Sequence, residues 1–426
     1  MTVANKVQSK VPQLRFPEFS GEWDKTSIGA HVELTSGNAF KSDFFCDENK
    51  AGARKLITPQ NFTNTGSAEF SLRTTKYTTE ECNDKFICGE SDLLILLTDL
   101  TPTCELLGRP ILLSSIDSQV LLNQRIVKVT LKSNSELKRP YLHALMQTKE
   151  YLRYIRVRAA GTTVRHSSND TVKKYEFRVS GDYFETEKIA EFLSSIDKKI
   201  SLLKQKHEQL VEYKKGIMQQ LFSQQLRFKD DNGQDFPDWK ISKFKQHFER
   251  VTQKNKFNNL NVLTISGQRG LINQQKYFNK SVSAQDVTGY YLMNKGEFAY
   301  NKSYSKGYPM GAIKRLNNYE QGVVSTLYIC FKSKNGDDRF WEQYFEAGLL
   351  NREIQKIAQE GARNHGLLNV SVKEFFDDMN MHSPSEDEQA KIADFLESVD
   401  KKINLAQQQI EQTQTYKQGL LQQMFV

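Results

Sequence analysis

A 26-residue segment occurs twice in this chain, and this repeat constrains the fold more than any other feature of the sequence. Residues Asp197–Phe222 read DKKISLLKQKHEQLVEYKKGIMQQLF, and Asp400–Phe425 read DKKINLAQQQIEQTQTYKQGLLQQMF. Extended back to positions 188 and 391, the copies align without a gap over 35 residues, of which 20 are identical. Any fold of this chain must therefore use the segment twice.

Each copy has the pattern of a coiled-coil helix, because its apolar residues recur at alternating steps of four and three. At about 1.5 Å per residue, each copy predicts a helix about 50 Å long whose natural partner is the other copy. The apolar seam positions are Ile189, Leu193, Ile196, Ile200, Leu203, Leu210, Ile217 and Leu221 in the first copy, and Ile392, Leu396, Val399, Ile403, Ile410, Leu420 and Met424 in the second.

Both copies also place a lysine in the seam, Lys214 in the first and Lys417 in the second. Polar seam residues cost stability but fix the register of the helices. The pattern therefore predicts that changing both lysines to leucine raises the thermal stability.

Similarity between the two halves extends beyond the helices. LRFPEF…EW (Leu14–Trp23) is echoed by LRFKDDNGQDFPDW (Leu226–Trp239), and each opens a large block. The strand-like and helical patterns within the blocks indicate mixed α/β (α+β) domains in tandem duplication, each followed by a long helix. The predicted boundaries are an N-terminal arm at 1–20, a first block at 21–184, a central helix at 185–225, a linker and second block at 226–384, and a C-terminal helix at 385–426.

The strongest strand-like and helical runs lie inside these blocks. The predicted strands include DLLILL (92–97), QRIVKVTL (124–131), NVLTIS (261–266), GEFAYN (296–301) and VVSTLYICFK (323–332), and the predicted helices span Arg139–Ala159 and Asp338–Gln359.

The net charge of +8 sits in the blocks and not in the repeated helices. Residues 1–184 carry 25 basic and 21 acidic side chains, and residues 236–384 carry 21 and 14. Residues 240–315 alone hold 14 Lys and Arg against 3 Asp and Glu. An excess of this size favours a polyanionic partner over a merely solvated basic face.

The motifs of common enzyme classes are absent from the sequence. It has no GxxxxGK[ST] phosphate loop, no GxSxG or HExxH motif, and no Asn/Asp-Pro-Pro-aromatic tetrad of an amino-methyltransferase. Its five cysteines have no CxxC spacing, which indicates reduced thiols of a cytoplasmic protein and predicts no metal site. No apolar run reaches the roughly 18 residues of a membrane span.

The loops of both blocks are rich in side chains that recognise base edges and phosphates. The candidate DNA-binding residues in the first block are Arg54, Gln60, Asn61, Asn64, Arg73, Lys76, Arg156, Arg158 and Arg165. Those in the second block are Lys256, Gln268, Arg269, Lys276, Lys302, Tyr304, Lys306, Arg363 and Asn364.

The chain resembles the specificity subunit of type I restriction-modification enzymes over nearly its whole length. The resemblance is carried by the helices KIA(E/D)FL…(I/V)DKKI…YK(K/Q)G(I/L)…QQ(L/M)F and by the block openers LRFPEF…W and LRF…FPDW. GEFAYNKSYSKGYPMGAIKRL…GVVSTLYICF (Gly296–Phe331) is similar to a target-recognition domain of that family. In the second block a basic, glycine-rich loop follows GEFAYN, whereas the first block has no such loop. Which loop of the first block meets the bases is therefore left open.

The resemblance implies a non-catalytic protein with two target-recognition domains, each reading one half of a split site in double-stranded DNA. It implies that the two helices pair as an antiparallel coiled coil that sets the spacing. It also implies two methyltransferase subunits that bring S-adenosylmethionine and two restriction/translocase subunits that bring ATP and Mg²⁺, so no cofactor is expected on this chain.

Two alternatives belong to other classes. The first is a non-catalytic coiled-coil scaffold whose basic blocks bind RNA or acidic proteins, and the second is an enzyme with an unfamiliar site. The duplication favours the DNA-reading interpretation, because two diverged blocks joined to helices suit the two different halves of one site.

Overall fold

The computed structural model describes residues 10–71, 73–99, 101, 103–114, 119–162, 164–278, 283–284, 286–305, 307–359 and 368–426. The chain divides into two compact units. Unit 1 comprises Met1–Gln205 and Ala406–Val426, and unit 2 comprises Lys206–Leu405. Each unit therefore contains one block, the beginning of one long helix and the end of the other.

Unit 1 is built from short strands around two sheets. Its strands are β1 Asp24–Ser27, β2 Val32–Ser36, β3 Phe45–Cys46, β4 Arg54–Ile57, β5 Lys76–Thr78, β6 Ile87–Cys88, β7 Leu93–Leu96, β8 Thr98–Asp99, β9 Pro110–Leu112, β10 Val120–Leu122, β11 Ile126–Leu131, β12 Arg165–His166 and β13 Glu176–Val179. Its helices are α1 Ile28–His31, α2 Arg139–Leu145, α3 Lys149–Val157, α4 Asn169–Lys173 and the beginning of α5 Tyr183–Phe222. Short 3-10 turns lie at Ser42–Phe44, Pro59–Asn61 and Asp84–Phe86.

The two larger sheets of unit 1 have the strand orders β2-β11-β7-β9 and β3-β5-β4-β10-β6. Strand β7 is buried on both faces, which explains its unbroken run of apolar residues. Because side chains alternate along a strand, Leu93 and Ile95 enter the larger core of unit 1, whereas Leu94 and Leu96 enter a second cluster with β10.

Unit 2 repeats this plan with different lengths. Its strands are β14 Lys240–Lys243, β15 Phe248–Arg250, β16 Leu263–Ser266, β17 Gly270–Asn273, β18 Tyr291–Asn294, β19 Phe298–Asn301, β20 Ala312–Arg315, β21 Gln321–Val324, β22 Ile329–Ser333, β23 Ala358–Gln359, β24 Asn369–Val370 and β25 Asn380–Ser383. Its helices are α6 Phe244–His247, α7 Gln274–Phe278, α8 Asp338–Glu346, α9 Asn351–Ile357, α10 Val372–Asp377 and the beginning of α11 Glu386–Gln423, with the end of α5.

The main sheet of unit 2 has the order β15-β22-β19-β20, which matches β2-β11-β7-β9 element for element. In each unit the first strand pairs antiparallel with the last strand before the following long helix, β1 with β13 and β14 with β25. The same succession of strand, helical turn and strand opens both blocks.

A buried arginine–glutamate pair recurs at the start of each block. The Arg15 guanidinium donates to both carboxylate oxygens of Glu185, at 2.7 and 2.8 Å, and that carboxylate is fully buried. In unit 2, Arg227 donates in the same way to Glu388, at 3.1 and 2.8 Å. Since a buried carboxylate needs charge-assisted partners, these pairs tie the LRF segments to the first turns of the long helices.

Several predicted runs are divided in the structure. VVSTLYICFK was predicted as one strand, but a turn at Ser325–Tyr328 separates β21 from β22, which lie in different sheets. The predicted helix at 139–159 is broken into α2 and α3, because Thr148 caps α3 by accepting a hydrogen bond from the Tyr151 amide. The run at 338–359 ends as β23, and Gly348 lies at a positive φ between α8 and α9.

The two long helices contribute to the core of both units. In unit 1, Ile189 and Leu193 of α5 share a cluster with Leu420 and Met424 of α11. In unit 2, Leu221 of α5 shares a cluster with residues of α11 that include Ile392 and Leu396. All the apolar positions of the predicted seam are buried or half-buried.

Each unit also contains an ion pair between the helices. In unit 1, the Lys417 Nζ donates to Asp197 Oδ1 at 2.5 Å and to the side chain of Gln147 at 2.9 Å. In unit 2, the Lys214 Nζ lies 2.7 Å from Asp400 Oδ1, and Gln343 donates to Oδ2 of the same aspartate at 2.9 Å. Both lysines of the seam therefore have an acidic partner on the other helix.

Within the described ranges, no helix is long and apolar enough to cross a membrane. In the same part of the chain, no group of three or more His, Cys, Asp or Glu is placed to hold a metal ion. The cysteines are free thiols, and burial raises the pKa of Cys88 and Cys330 to about 12, so neither is a thiolate at neutral pH.

Candidate nucleic-acid interface

In unit 2, a hairpin turn presents two of the predicted residues to solvent. Strands β16 and β17 pair antiparallel from Leu263–Asn273 to Ser266–Gly270, and the exposed side chains of Gln268 and Arg269 stand at the turn between them. The Arg269 amide donates to the hydroxyl of Ser266 at 3.2 Å, which fixes the backbone of the turn. A fixed turn with exposed amide and guanidinium groups is suited to contact base edges or phosphates.

A second loop lies against this turn. The Tyr308 hydroxyl donates to the Gly267 carbonyl at 2.8 Å. A Cβ at Gly267 would lie 2.7 Å from the Tyr308 ring, so only glycine permits this close approach. On the same loop, Tyr304 is 65% exposed and Lys302 is half-buried. The structure therefore brings the loop of Lys302 and Tyr304 together with the turn of Gln268 and Arg269.

Lys276 and Lys256 lie on neighbouring segments of unit 2. Lys276 is exposed on α7, which follows β17, and Lys256 is exposed on the loop before β16. The Gln274 amide donates to the Val262 carbonyl at 2.8 Å, which joins α7 to the end of that loop. The predicted residues Lys306, Arg363 and Asn364 lie outside the described residues.

The electrostatics of this region are one-sided. From residue 251 to residue 284 the sequence contains four arginine and lysine side chains in the described ranges, at 254, 256, 269 and 276, and no aspartate or glutamate. Exposed cations in a stretch of chain without acids attract phosphates over distances up to a Debye length. Outside this stretch, the Glu346 carboxylate lies within hydrogen-bonding distance of the Tyr308 hydroxyl.

In unit 1, four predicted residues accompany the strands β4 and β5. Gln60, Arg73 and Lys76 are exposed, whereas Arg54 is half-buried and donates to the Glu80 carbonyl at 3.3 Å. The Lys76 ammonium lies 5.6 Å from the centre of the Phe45 ring. These side chains form the polar border of the sheet β3-β5-β4-β10-β6.

Asn61 was predicted to contact DNA, and the structure corrects this. Its side chain is fully buried, and its Oδ1 accepts hydrogen bonds from the amide and the hydroxyl of Thr58, at 2.8 and 2.9 Å. Its Nδ2 donates to the Glu69 carbonyl at 3.1 Å. Asn61 therefore holds the turn that presents Gln60, because a buried amide must have its hydrogen bonds satisfied inside the protein.

Two other predicted residues line a groove in unit 1. Asn64 and Arg156 border a cavity of about 740 Å³ that is also lined by Lys149, Arg153 and Arg109. Arg156 and Arg109 both donate to the Glu105 carbonyl, at 2.6 and 3.0 Å, so two guanidinium groups lie close together. Burial and the nearby Arg156 charge lower the pKa of Arg109. The groove is therefore a cationic concavity suited to an anionic group.

The remaining predicted residues of unit 1 do not line this groove. Arg158 is exposed and its guanidinium lies 3.8 Å from the centre of the Tyr154 ring. Arg165 is half-buried on β12, which pairs with β8. Arg109 was not singled out in the sequence, because a basic residue in a turn carries no periodic signal that it borders a groove. Lys149 and Arg153 lie on α3 with the predicted Arg156.

Comparisons with known proteins agree with this fold and surface. Residues 20–212 match the family model of the type I restriction modification DNA specificity domain. The chain is 23% identical over 429 residues to the specificity subunit of the type I restriction enzyme MjaVIII from Methanocaldococcus jannaschii, covering 96% of this chain and 92% of that protein.

A solved structure shares the fold at lower identity, and a second one matches with a lower TM-score. The S subunit of the type I restriction-modification system from M. genitalium matches with a TM-score of 0.57 and 15% identity, covering 98% of this chain and 99% of that chain. The HsdS subunit from Thermoanaerobacter tengcongensis matches with a TM-score of 0.40 and 10% identity, covering 94% and 95%.

The domain match and the full-length relative point to the same class, the DNA specificity subunits of type I restriction-modification systems, and the M. genitalium structure shares the fold. The chain is thus similar to these subunits over nearly its whole length, which agrees with the resemblance carried by its helices and block openers.

Proposed function

We propose that each block of this specificity subunit reads one half of a bipartite site in double-stranded DNA. The observation that carries the proposal is the exposed turn of Gln268 and Arg269, which the Tyr308 hydroxyl joins to the loop of Tyr304 in the part of the chain with the largest basic excess. Arginine pairs with guanine and glutamine with adenine in the major groove, while lysines meet phosphates and fix the register. Unit 1 reads the other half with Gln60, Arg73 and Lys76.

The long helices act as the spacer between the recognition domains in this proposal. Their pairing as an antiparallel coiled coil is supported by the contacts inside each unit, where the beginning of one helix meets the end of the other. Tandem duplication is supported by the matching sheet orders and by the recurring Arg15–Glu185 and Arg227–Glu388 pairs. A duplicated chain of this kind presents two similar faces to two similar partners.

Catalysis belongs to other subunits in this account. Two methyltransferase subunits dock on the helices and bring S-adenosylmethionine, and two restriction/translocase subunits bring ATP and Mg²⁺. The chain itself is non-catalytic, acts in the cytoplasm with its partners, and directs their chemistry to one DNA sequence.

The salt dependence of DNA binding tests the proposal. The full-length chain, co-expressed with its methyltransferase subunit, is titrated against a duplex that carries the site found by mapping methylated bases. Because each neutralised phosphate contributes a slope of about −0.9 to log K against log[salt], we expect a steep decline. Lys256→Gln should lower the slope by about 1, whereas Lys199→Gln on an exposed position of α5 should not change it. A flat plot for the unaltered complex contradicts DNA as the ligand.

A further inference from the structure

An exposed phenylalanine stands on the loop between β15 and β16. The side chain of Phe257 is 87% exposed and that of Leu260 is 71% exposed. Leaving a phenylalanine in water forgoes the hydrophobic stabilisation that its burial provides. A side chain presented in this way is suited to enter a partner.

The loop holds this phenylalanine in a fixed position. Asn255 is fully buried, and its Nδ2 donates to the carbonyls of Asn259 and Val287 at 2.9 and 3.2 Å. Its Oδ1 accepts from the Asn259 amide at 2.8 Å, which closes the loop around Phe257. Asn258 takes a positive φ of 51°, a conformation that asparagine tolerates better than most residues. The exposure of Phe257 is therefore built into the loop.

The base of the loop is anchored to the neighbouring strand. The Leu292 amide of β18 donates to the Gln253 carbonyl at 2.8 Å, and the Asn255 amide donates to the Tyr290 carbonyl at 3.1 Å. The Lys254 ammonium lies 4.3 Å from the centre of the Tyr291 ring and donates to the Gly289 carbonyl at 2.8 Å. The segment that leads into Phe257 is thus anchored to the folded sheet.

The charge around Phe257 identifies the kind of partner. Lys256 precedes it directly, and no acidic residue occurs between residues 251 and 284. The first acid after this stretch is the exposed Asp286, next to Val287. A cation directly beside an apolar tip suits a base step, because phosphates lie on both sides of the stacked base pairs. Proteins that bend DNA insert apolar side chains such as phenylalanine between base pairs.

We propose that Phe257 is a wedge that inserts between two stacked base pairs of the half-site read by unit 2, while Lys256 contacts the adjoining phosphate. The proposal rests on the proposed function. Insertion favours a step that unstacks easily, such as a pyrimidine–purine step. Phe257 therefore contributes to specificity through the deformability of the DNA, at a position where no hydrogen bond reads the base.

The test uses the full-length chain with its methyltransferase subunit and a duplex carrying the mapped site. 2-Aminopurine is placed at each position in turn, because its fluorescence rises when it is unstacked. We expect one position in the half-site of unit 2 to brighten with the unaltered complex and with Phe257→Leu, which keeps an apolar wedge, but not with Phe257→Ala. Phe257→Ala should weaken binding at least about fivefold, the lower end for a base–aromatic stack.

Two controls separate the wedge from other effects. The slope of log K against log[salt] should stay the same for Phe257→Ala, because no phosphate contact is removed. Ile241→Ala, which changes another apolar side chain that is 74% exposed on β14, should alter neither affinity nor fluorescence.

Failure of the wedge is distinguishable from failure of the proposed function. If the unaltered complex binds its site but Phe257→Ala keeps the affinity and the fluorescence pattern, the wedge is wrong and DNA reading stands. If Phe257→Ala instead abolishes co-purification with the methyltransferase subunit, Phe257 is a protein contact and the wedge is also wrong. If the unaltered complex does not discriminate the site from a scrambled duplex, the proposed function itself fails.

Discussion

The ring of His143 on α2 lies 7% exposed beneath the turn of Gly66. Its Nε2–H donates to the Gly66 carbonyl at 2.8 Å. Burial, and then the positive charge of the nearby Lys417, lower the pKa of His143 from its ordinary value of 6.5 to about 4. The folded protein therefore keeps this histidine neutral at every pH above that value.

This low pKa predicts a stability change in mildly acidic solution. Between about pH 6.5 and pH 4 the unfolded chain binds a proton at His143 and the folded chain does not, so stability falls as the pH falls. A shift of about 2.5 pH units corresponds to about 3 kcal/mol across this window. We expect His143→Gln to reduce the decrease in unfolding free energy between pH 7 and pH 4.5, measured by urea denaturation at each pH.

His166 provides the matched control, because it is an exposed histidine of the same block. His166→Gln should follow the pH profile of the unaltered chain. If both variants have the same dependence of unfolding free energy on pH as the unaltered chain, the neutral state of His143 does not contribute to the stability of the protein.

At the scale of single residues, the sequence indicates the chemistry of a side chain but not whether that side chain is exposed to solvent. Asn61 and Gln60 are adjacent polar residues in one loop, but the first is buried under hydrogen bonds and the second faces solvent. Phe257 was not predicted as a functional residue, since a lone phenylalanine is most often a core residue. Exposure depends on contacts with distant segments, such as that between Asn255 and Val287, which no local pattern specifies.

At the scale of helices and strands, the contacts of the two seam lysines, Lys214 and Lys417, bear directly on a prediction made from the sequence. From the sequence we expected that changing both to leucine would raise stability. The structure reverses this expectation, because Lys417 pairs with Asp197 and Lys214 pairs with Asp400, each with the acid on the other helix. Removing only the lysines would leave two aspartates without their cations.

The pair of Lys417 and Asp197 predicts an asymmetric response to substitution. The lysine side chain is 6% exposed and the aspartate side chain is 34% exposed. Asp197→Leu should therefore lower the unfolding free energy by about 3 kcal/mol or more, because it leaves the buried ammonium of Lys417 without an acidic partner. Lys417→Met should cost less, because the half-buried carboxylate can be rehydrated, and the double variant should recover most of the loss. Urea denaturation of the full-length chain measures all three.

The pair of Lys214 and Asp400 is the internal control, since its lysine side chain is more exposed at 16%. Asp400→Leu should cost less than Asp197→Leu. Equal losses for Asp197→Leu and Lys417→Met, with no recovery in the double variant, would mean that the interhelical pair does not couple the two side chains.

Helices were predicted more closely than sheets for a physical reason. The heptad pattern is local, and each copy of the repeated segment forms one long helix in the structure, α5 at Tyr183–Phe222 and α11 at Glu386–Gln423. The order β2-β11-β7-β9 joins strands up to about a hundred residues apart, and no local pattern specifies such pairing. For the same reason, the local pattern of VVSTLYICFK (Val323–Lys332) did not indicate the turn inside this segment.

At the scale of the whole molecule, each recognition block has the same frame and a different surface. The main sheets share one strand order, and both blocks are fastened by a buried arginine–glutamate pair. The exposed loops differ between the blocks. Unit 2 presents the basic turn of Gln268 and Arg269, whereas unit 1 presents the polar border of a sheet, with Gln60 and Arg73. A conserved frame with divergent loops is suited to reading two different sequences.

The central claim is that each block reads one half of the DNA site independently. The most direct measurement is genome-wide mapping of methylated bases in cells that express the chain with its methyltransferase subunit. The map is compared with that of a chimera in which residues 236–384 come from a homologous specificity subunit. We predict that one half of the methylated sequence changes while the other half and the spacing between them stay the same. A change in both halves, or in neither, would contradict the account.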